Sequence, residues 1–70
     1  EFMFLGLRMI QGIERSRFYQ SFGFTVDNIY SRVIARLEAE ELLQQNPERV
    51  WLTEKGLDLS NYALAQFLLD

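Results

Sequence analysis

The sequence predicts a mainly α-helical domain with one small β-hairpin, and three observations support this fold class. Apolar residues recur at three- and four-residue spacing in several stretches, which is typical of helices with one buried face. Two short extended runs flank a Pro-containing turn at residues 45–49. The chain has 70 residues, 49% of them hydrophobic, which fits a single small globular domain over residues 1–70.

The first predicted helix covers residues 1–11 and ends at Gly12, a residue that often terminates helices. This helix is apolar on almost every side, so it needs burial against more than one neighbour. A domain of this size covers one helix face, and the remaining apolar surface predicts a partner outside the domain or weak self-association. A helix placed centrally in a small bundle is the alternative interpretation.

A helix-turn-helix arrangement is predicted next. The second helix covers residues 13–22, Gly23 adopts a left-handed conformation, and Thr25 caps the third helix over residues 26–43. Six residues of the third helix have the spacing of a buried stripe: Val26, Ile29, Tyr30, Val33, Ile34 and Leu37.

A strand, a turn and a last helix complete the predicted fold. Residues 43–45 and 50–53 are expected to pair as a two-stranded wing, and Thr53 is expected to cap the last helix. The core face of that helix is predicted to be formed by Leu57, Leu64, Phe67 and Leu68. Many winged-helix DNA-binding domains end in this way, so the predicted fold is winged-helix-like.

The residue types present exclude several kinds of site. The chain has no Cys and no His, which excludes disulfides, iron–sulfur ligation and Cys–His or Ser–His catalysis. We therefore predict no catalytic, cofactor-binding or metal-binding residue in this domain. The longest apolar run, residues 2–5, is too short to cross a membrane. We expect a cytoplasmic protein and, since the sequence begins with Glu, a piece of a longer chain.

The charges argue against DNA binding, although a small winged-helix DNA-binding regulator remains the alternative function. The net charge is −3, whereas nucleic-acid binders usually carry a positive balance. Asn28, Arg32 and Arg36 share one side of the predicted recognition helix, but its end carries several acidic residues. We interpret the two arginines as a solvated face paired with those acids, and expect no nucleic-acid partner.

Two stretches carry a family resemblance: "EFMFLGLRMIQGI" at 1–13 and "LTEKGLDLSNYALAQFL" at 52–68. Between them lie "FYQSFG" and "VIARLEAEELL". Together these segments resemble the C-terminal domain of the oxygen-independent coproporphyrinogen III oxidase family, which includes oxidase-like haem chaperones. The resemblance extends over essentially all of the chain.

The resemblance implies a parent radical S-adenosylmethionine protein of porphyrin or haem metabolism. Its N-terminal domain would hold a 4Fe–4S cluster and S-adenosylmethionine, and in the oxidases it would act as an oxidoreductase on coproporphyrinogen III. The C-terminal domain would pack on and cover that catalytic domain without being catalytic itself. A tetrapyrrole, including haem, is a possible ligand.

Four residues are carried over as candidates for contacts with the N-terminal domain or the substrate. Glu1 and Arg8 match the family's Glu…Leu-x-Leu-Arg stretch, and Arg8, the one cation among apolar neighbours, would need a partner if buried. Ser60 and Asn61 match a polar pair of the oxidase-like branch and are expected to satisfy backbone groups at a helix contact. The tyrosines and methionines could contact a tetrapyrrole but are interpreted as core residues.

Overall fold

The computed structural model describes residues 2–68, which form five helices and three short strands. In chain order these elements are α1 (Phe2–Leu7), β1 (Ile13–Glu14), α2 (Arg15–Phe22), α3 (Val26–Ala39), β2 (Leu43–Gln45), β3 (Arg49–Leu52), α4 (Glu54–Asp58) and α5 (Ser60–Ala65). The predicted fold class, mainly α-helical with a small antiparallel hairpin in a winged-helix-like order, is confirmed.

The sheet has three strands, one more than the predicted wing. β3 lies in the centre, with β1 and β2 antiparallel on its two sides. The predicted hairpin is present, since Leu43 pairs with Leu52 and Gln45 pairs with Val50. The extra strand is β1, in which Ile13 pairs with Val50 and was wrongly assigned to the start of the second helix.

Besides the second helix, which loses residues 13 and 14 to β1, three predicted helices are longer than the observed ones. The first ends at Leu7, not Gln11, and is followed by a turn in which the Gly12 N–H donates to the Met9 carbonyl at 3.0 Å. The third ends at Ala39, not Leu43, because Glu41 has a φ of 65° that no helix continues through. The predicted single last helix is two helices, separated at Leu59, where the backbone leaves helical geometry.

The predicted caps are confirmed. Gly23 is left-handed with a φ of 80°, and its N–H donates to the Tyr19 carbonyl at 2.8 Å. The Thr25 hydroxyl accepts from the Asn28 N–H at 3.2 Å. The Thr53 hydroxyl accepts from the Gly56 N–H at 3.0 Å and donates to the Glu41 carbonyl at 2.7 Å, so it joins the start of α4 to the end of α3.

The core lies between the helices and the inner face of the sheet. Val26, Ile34 and Leu37 of the predicted stripe are buried, but Ile29 of that stripe is 38% exposed. Leu64 and Phe67 of the last predicted face are buried, whereas Leu68 is 62% exposed and does not belong to the core. Aromatic rings extend this core on the α2 side, where Phe2 contacts both Phe18 and Phe22 edge-on.

No helix within residues 2–68 is both long enough and apolar enough to cross a membrane.

Candidate functional site

An exposed apolar surface lies on α1 and the turn that follows it. Leu5 is 67% exposed, Met9 64% and Ile10 85%, although all three are large apolar side chains. We call Leu5, Met9 and Ile10 the apolar docking surface. The other side of α1 is fully used, because Met3 and Leu7 are buried in the core. Large apolar side chains that are exposed close together in the chain typically mark an interaction site.

A groove of about 650 Å³ opens beside this surface, between α1 on one side and β1 and α2 on the other. Its volume is within the range of small-molecule sites, roughly 300–1,000 Å³. The residues that line it are Phe2, Leu5, Gly6, Met9, Gln11, Gly12, Ile13, Glu14, Arg17, Ser21 and Arg49. The α1 wall is apolar, and the charged groups come from α2 and the sheet.

The two cations of the groove have different surroundings. Arg49 donates to the Glu14 carboxylate at 3.1 Å and to the Gln11 carbonyl at 3.5 Å, so its charge is partly compensated. Arg17 is exposed on α2 and, among the contacts within residues 2–68, has neither a hydrogen bond nor an ion pair. The groove therefore has an apolar wall and one cation that is available to a ligand.

Of the predicted pair Glu1 and Arg8, the structure describes Arg8. Glu1 lies outside the described residues. Arg8 follows the end of α1 and is exposed in the turn. It directly precedes Met9 and Ile10 in the sequence, but it lies outside α1 and not on the predicted helix face.

Ser60 and Asn61 are the first two residues of α5. Ser60 is half-buried and Asn61 is exposed. Within the described residues, neither side chain has a hydrogen bond to a backbone group. Their assignment to an interface stays a prediction, and the structure does not bring them to the groove.

The arginines of α3 that a DNA-binding regulator would use do not pair with acidic residues of the same helix. Arg32 and Arg36 are exposed, and Arg36 donates to the Gln66 side chain at 3.2 Å instead of to an acidic neighbour on its own helix. The ion pairs expected with the helix acids are absent from the described residues, where Arg15–Asp27 and Arg49–Glu14 are the pairs observed.

The acids near the end of α3 have other partners. Glu38 accepts from the Gln45 side chain at 3.0 Å, and Glu40 accepts from the Tyr62 hydroxyl at 3.1 Å. The hydrogen bond to Glu40 is the main cause that raises the pKa of Tyr62 above its ordinary value of 10.0. In the part of the chain from residue 2 to residue 68, no cluster of acidic side chains has the arrangement of a metal site.

Sequence reasoning missed the groove because its residues come from distant parts of the chain. Met9, Tyr19 and Tyr62 were interpreted as core residues, but all three are exposed. Arg17 has no sequence signal of its own, because its proximity to α1 depends on the pairing of Ile13 with Val50. The one sequence signal for this site was the first predicted helix, which is apolar on almost every side and was therefore expected to contact a partner.

Comparisons with known proteins agree with the predicted family. The family model described as the HemN C-terminal domain matches residues 1–59. The haem chaperone HemW of Lactococcus lactis subsp. lactis (strain IL1403) is 36% identical over 70 residues, which cover 100% of this chain and 18% of that protein. HemW of Bacillus subtilis (strain 168) is 34% identical over 68 residues, which cover 97% of this chain and 18% of the relative.

No solved structure matches the chain. The chain spans less than a fifth of the length of the two curated relatives. A family model that matches most of the chain, together with two relatives aligned over nearly all of it, identifies this chain as a member of the HemN C-terminal domain family.

Proposed function

We propose that this chain is the C-terminal accessory domain of a HemW-like radical S-adenosylmethionine protein, and that it packs on and covers the N-terminal domain. The observation that carries this proposal is the apolar docking surface of Leu5, Met9 and Ile10. The proposed partner domain would supply the 4Fe–4S cluster and S-adenosylmethionine, because this chain has no Cys to hold a cluster.

The docking surface has the properties of one half of an interface inside a larger protein. Leu5 lies on α1, whose opposite side is held in the core by Met3 and Leu7. Met9 and Ile10 lie in the turn that directly follows this helix. Burying large apolar side chains is favourable by about 1.5–3 kcal/mol each when they are fully covered. Covering Leu5, Met9 and Ile10 would therefore favour association of the two domains.

The relatives favour the haem-chaperone branch over an oxidase. Both curated relatives are named haem chaperones. We accordingly propose that the whole protein handles haem or another tetrapyrrole, and that the domain described here covers the site without taking part in chemistry.

The test is to add the 70-residue chain to the separately produced N-terminal part of the same protein and to measure association by calorimetry. We expect saturable binding that is weakened at least tenfold by Ile10→Lys, because a buried charge without a partner opposes association. Ile29→Lys is the matched control, since Ile29 is also exposed but belongs to α3. Sedimentation of the chain alone separates docking from self-association through the same surface.

Equal association of Ile10→Lys and Ile29→Lys would show that the apolar surface is not the interface. Binding to duplex DNA that weakens steeply with salt would instead support the alternative, a DNA-binding regulator.

A further inference from the structure

We infer that the groove between α1 and α2 is a binding site for an apolar carboxylate, and that Arg17 is the residue that binds the carboxylate group. The inference deepens the proposed function, on which the choice of a tetrapyrrole as the ligand rests. The site itself follows from the shape and the charges of the groove.

The apolar part of the site is provided by α1 and the turn that follows it. Phe2 and Leu5 of α1 and Met9 of the turn line one wall of the groove, and Ile13 of β1 closes the groove opposite them. Gly6 also lines the groove, where the absence of a side chain brings Ile13 close to the helix backbone. An apolar molecule in the groove would therefore cover side chains that are otherwise exposed to water.

The charged part of the site is provided by Arg17. A guanidinium binds a carboxylate through two parallel hydrogen bonds, and such charge-assisted bonds are the strong ones. Arg17 has no acidic partner within residues 2–68, whereas the neighbouring Arg49 is paired with Glu14. Arg17 lies beside the apolar wall of the groove, and this combination complements an apolar molecule that carries an acid group.

Two sources share this chemistry, a tetrapyrrole with propionate groups and a fatty acid. The groove shares Leu5 and Met9 with the apolar docking surface, so a ligand would lie at the border between the two domains. Ile10 does not line the groove, and Arg17 is not part of the docking surface. The docking proposal and the ligand proposal can therefore fail separately.

Trp51 provides a local signal for the test. Gly12 lines the groove, and a Cβ placed on Gly12 would lie 2.6 Å from the Cβ of Trp51, the one Trp of the chain. The 70-residue chain is titrated with mesoporphyrin IX, a metal-free porphyrin with two propionates, and quenching of Trp51 is corrected for absorption. Circular dichroism of every variant verifies that the fold is retained.

We expect saturable quenching and a dissociation constant that rises roughly five- to tenfold in Arg17→Ala, and similarly in Arg17→Gln. Arg32→Ala removes an exposed Arg outside the groove and should stay within twofold of the original chain. The dimethyl ester of the porphyrin, which has the same ring without the charges, should bind the original chain as weakly as the acid binds Arg17→Ala. Ile29→Lys, which adds a cation on α3 outside the groove, should not change porphyrin binding.

Laurate added as a competitor distinguishes the two sources. Displacement of the porphyrin would assign the groove to apolar carboxylates in general, and absence of displacement would assign it to tetrapyrroles. No saturable quenching, an equal loss of affinity in Arg17→Ala and Arg32→Ala, or equal binding of the acid and its ester would each overturn the inference.

Discussion

Arg15 joins three parts of the fold through one side chain. Its Nε donates to the Asn46 carbonyl at 3.1 Å, one terminal nitrogen pairs with Asp27 at 2.5 Å, and the other donates to the Gln45 side chain. Its side chain is only 19% exposed. The turn between β2 and β3 is thereby held against the start of α3.

Arg15→Ala should consequently lower the free energy of unfolding by about 1–2 kcal/mol, because it removes hydrogen bonds to a charged group. Arg32→Ala removes the same charge from an exposed position and should change the stability by less than about 0.5 kcal/mol. Urea unfolding followed by Trp51 fluorescence measures both. Equal stability of the two variants would contradict the role given to Arg15.

Gly56 is required by a close approach of two backbone segments. A Cβ on this residue would lie 1.9 Å from the Leu42 carbonyl oxygen, which also accepts from the Thr53 N–H at 3.0 Å. Gly56→Ala should destabilise the domain by about 1–3 kcal/mol through this collision.

Gly23→Ala is the control for backbone strain without a collision. Gly23 has a φ of 80°, and no atom lies within 4 Å of the added Cβ. The substitution should cost about 1 kcal/mol. Thermal unfolding measures the stability of both variants. A larger loss of stability in Gly23→Ala than in Gly56→Ala would contradict this explanation.

Tyr62 and Glu40 form an exposed pair whose effect depends on pH. The hydrogen bond to the Glu40 carboxylate is the main cause that raises the pKa of Tyr62 above 10.0. A raised pKa in the folded state means that the pair stabilises the fold below the ordinary pKa and loses this effect as pH rises through the folded value.

Glu40→Gln should therefore lower the pKa of Tyr62 toward 10.0. Carbon NMR of the tyrosine rings, titrated in the original chain and in the variant, measures this change while Tyr19 and Tyr30 serve as internal controls. An unchanged Tyr62 titration would show that the pair does not persist in solution.

At the scale of the elements, the end of α3 depends on one residue in an unusual conformation. Glu41 has a φ of 65°. This left-handed conformation is unfavourable for any residue that has a Cβ. The Glu41 carbonyl is held by the Thr53 hydroxyl at 2.7 Å, so the conformation is fixed by the contact between α3 and α4.

Glu41→Gly should stabilise the domain by about 0.5–1 kcal/mol, because Gly adopts this conformation without a steric cost. Ala35→Gly, at an exposed position inside α3, should have the opposite effect and cost about 1 kcal/mol. Denaturant unfolding of the two variants would refute this account if both moved in the same direction.

The elements also show which features sequence reasoning could predict. The stripe of Val26, Ile34 and Leu37 and the caps at Thr25 and Thr53 are local patterns, and all of them were predicted correctly. Strand β1 was missed because two residues carry no periodicity, and only pairing with Val50, 37 positions further along the chain, makes Ile13 a strand residue.

The break at Leu59 was missed for a related reason. Leu57, Leu64 and Phe67 share one helical spacing, so the sequence indicated one continuous helix. The turn between β2 and β3 was attributed to Pro47, whereas the Asn46 side chain holds it by accepting from the N–H groups of Glu48 and Arg49 at 2.9 and 2.7 Å. Local spacing does not reveal which side chain closes such a turn.

At the scale of the whole molecule, one side of the domain is suited to contact with other molecules. α1 and the turn that follows it provide the apolar docking surface and one wall of the groove, while the opposite face of α1 lies in the core. The apolar composition of residues 2–10 indicated this surface from the sequence, but the groove and the position of Arg17 required the folded arrangement.

Hydrogen exchange measured by mass spectrometry tests the central claim most directly, by comparing the isolated 70-residue chain with the whole protein of which we propose it is the C-terminal domain. Exchange in the segment from residue 2 to residue 12 should be slower in the whole protein, because the apolar docking surface is covered there. Exchange in α3 should be nearly the same in both. Equal exchange of residues 2–12 in the two proteins would contradict docking through this surface.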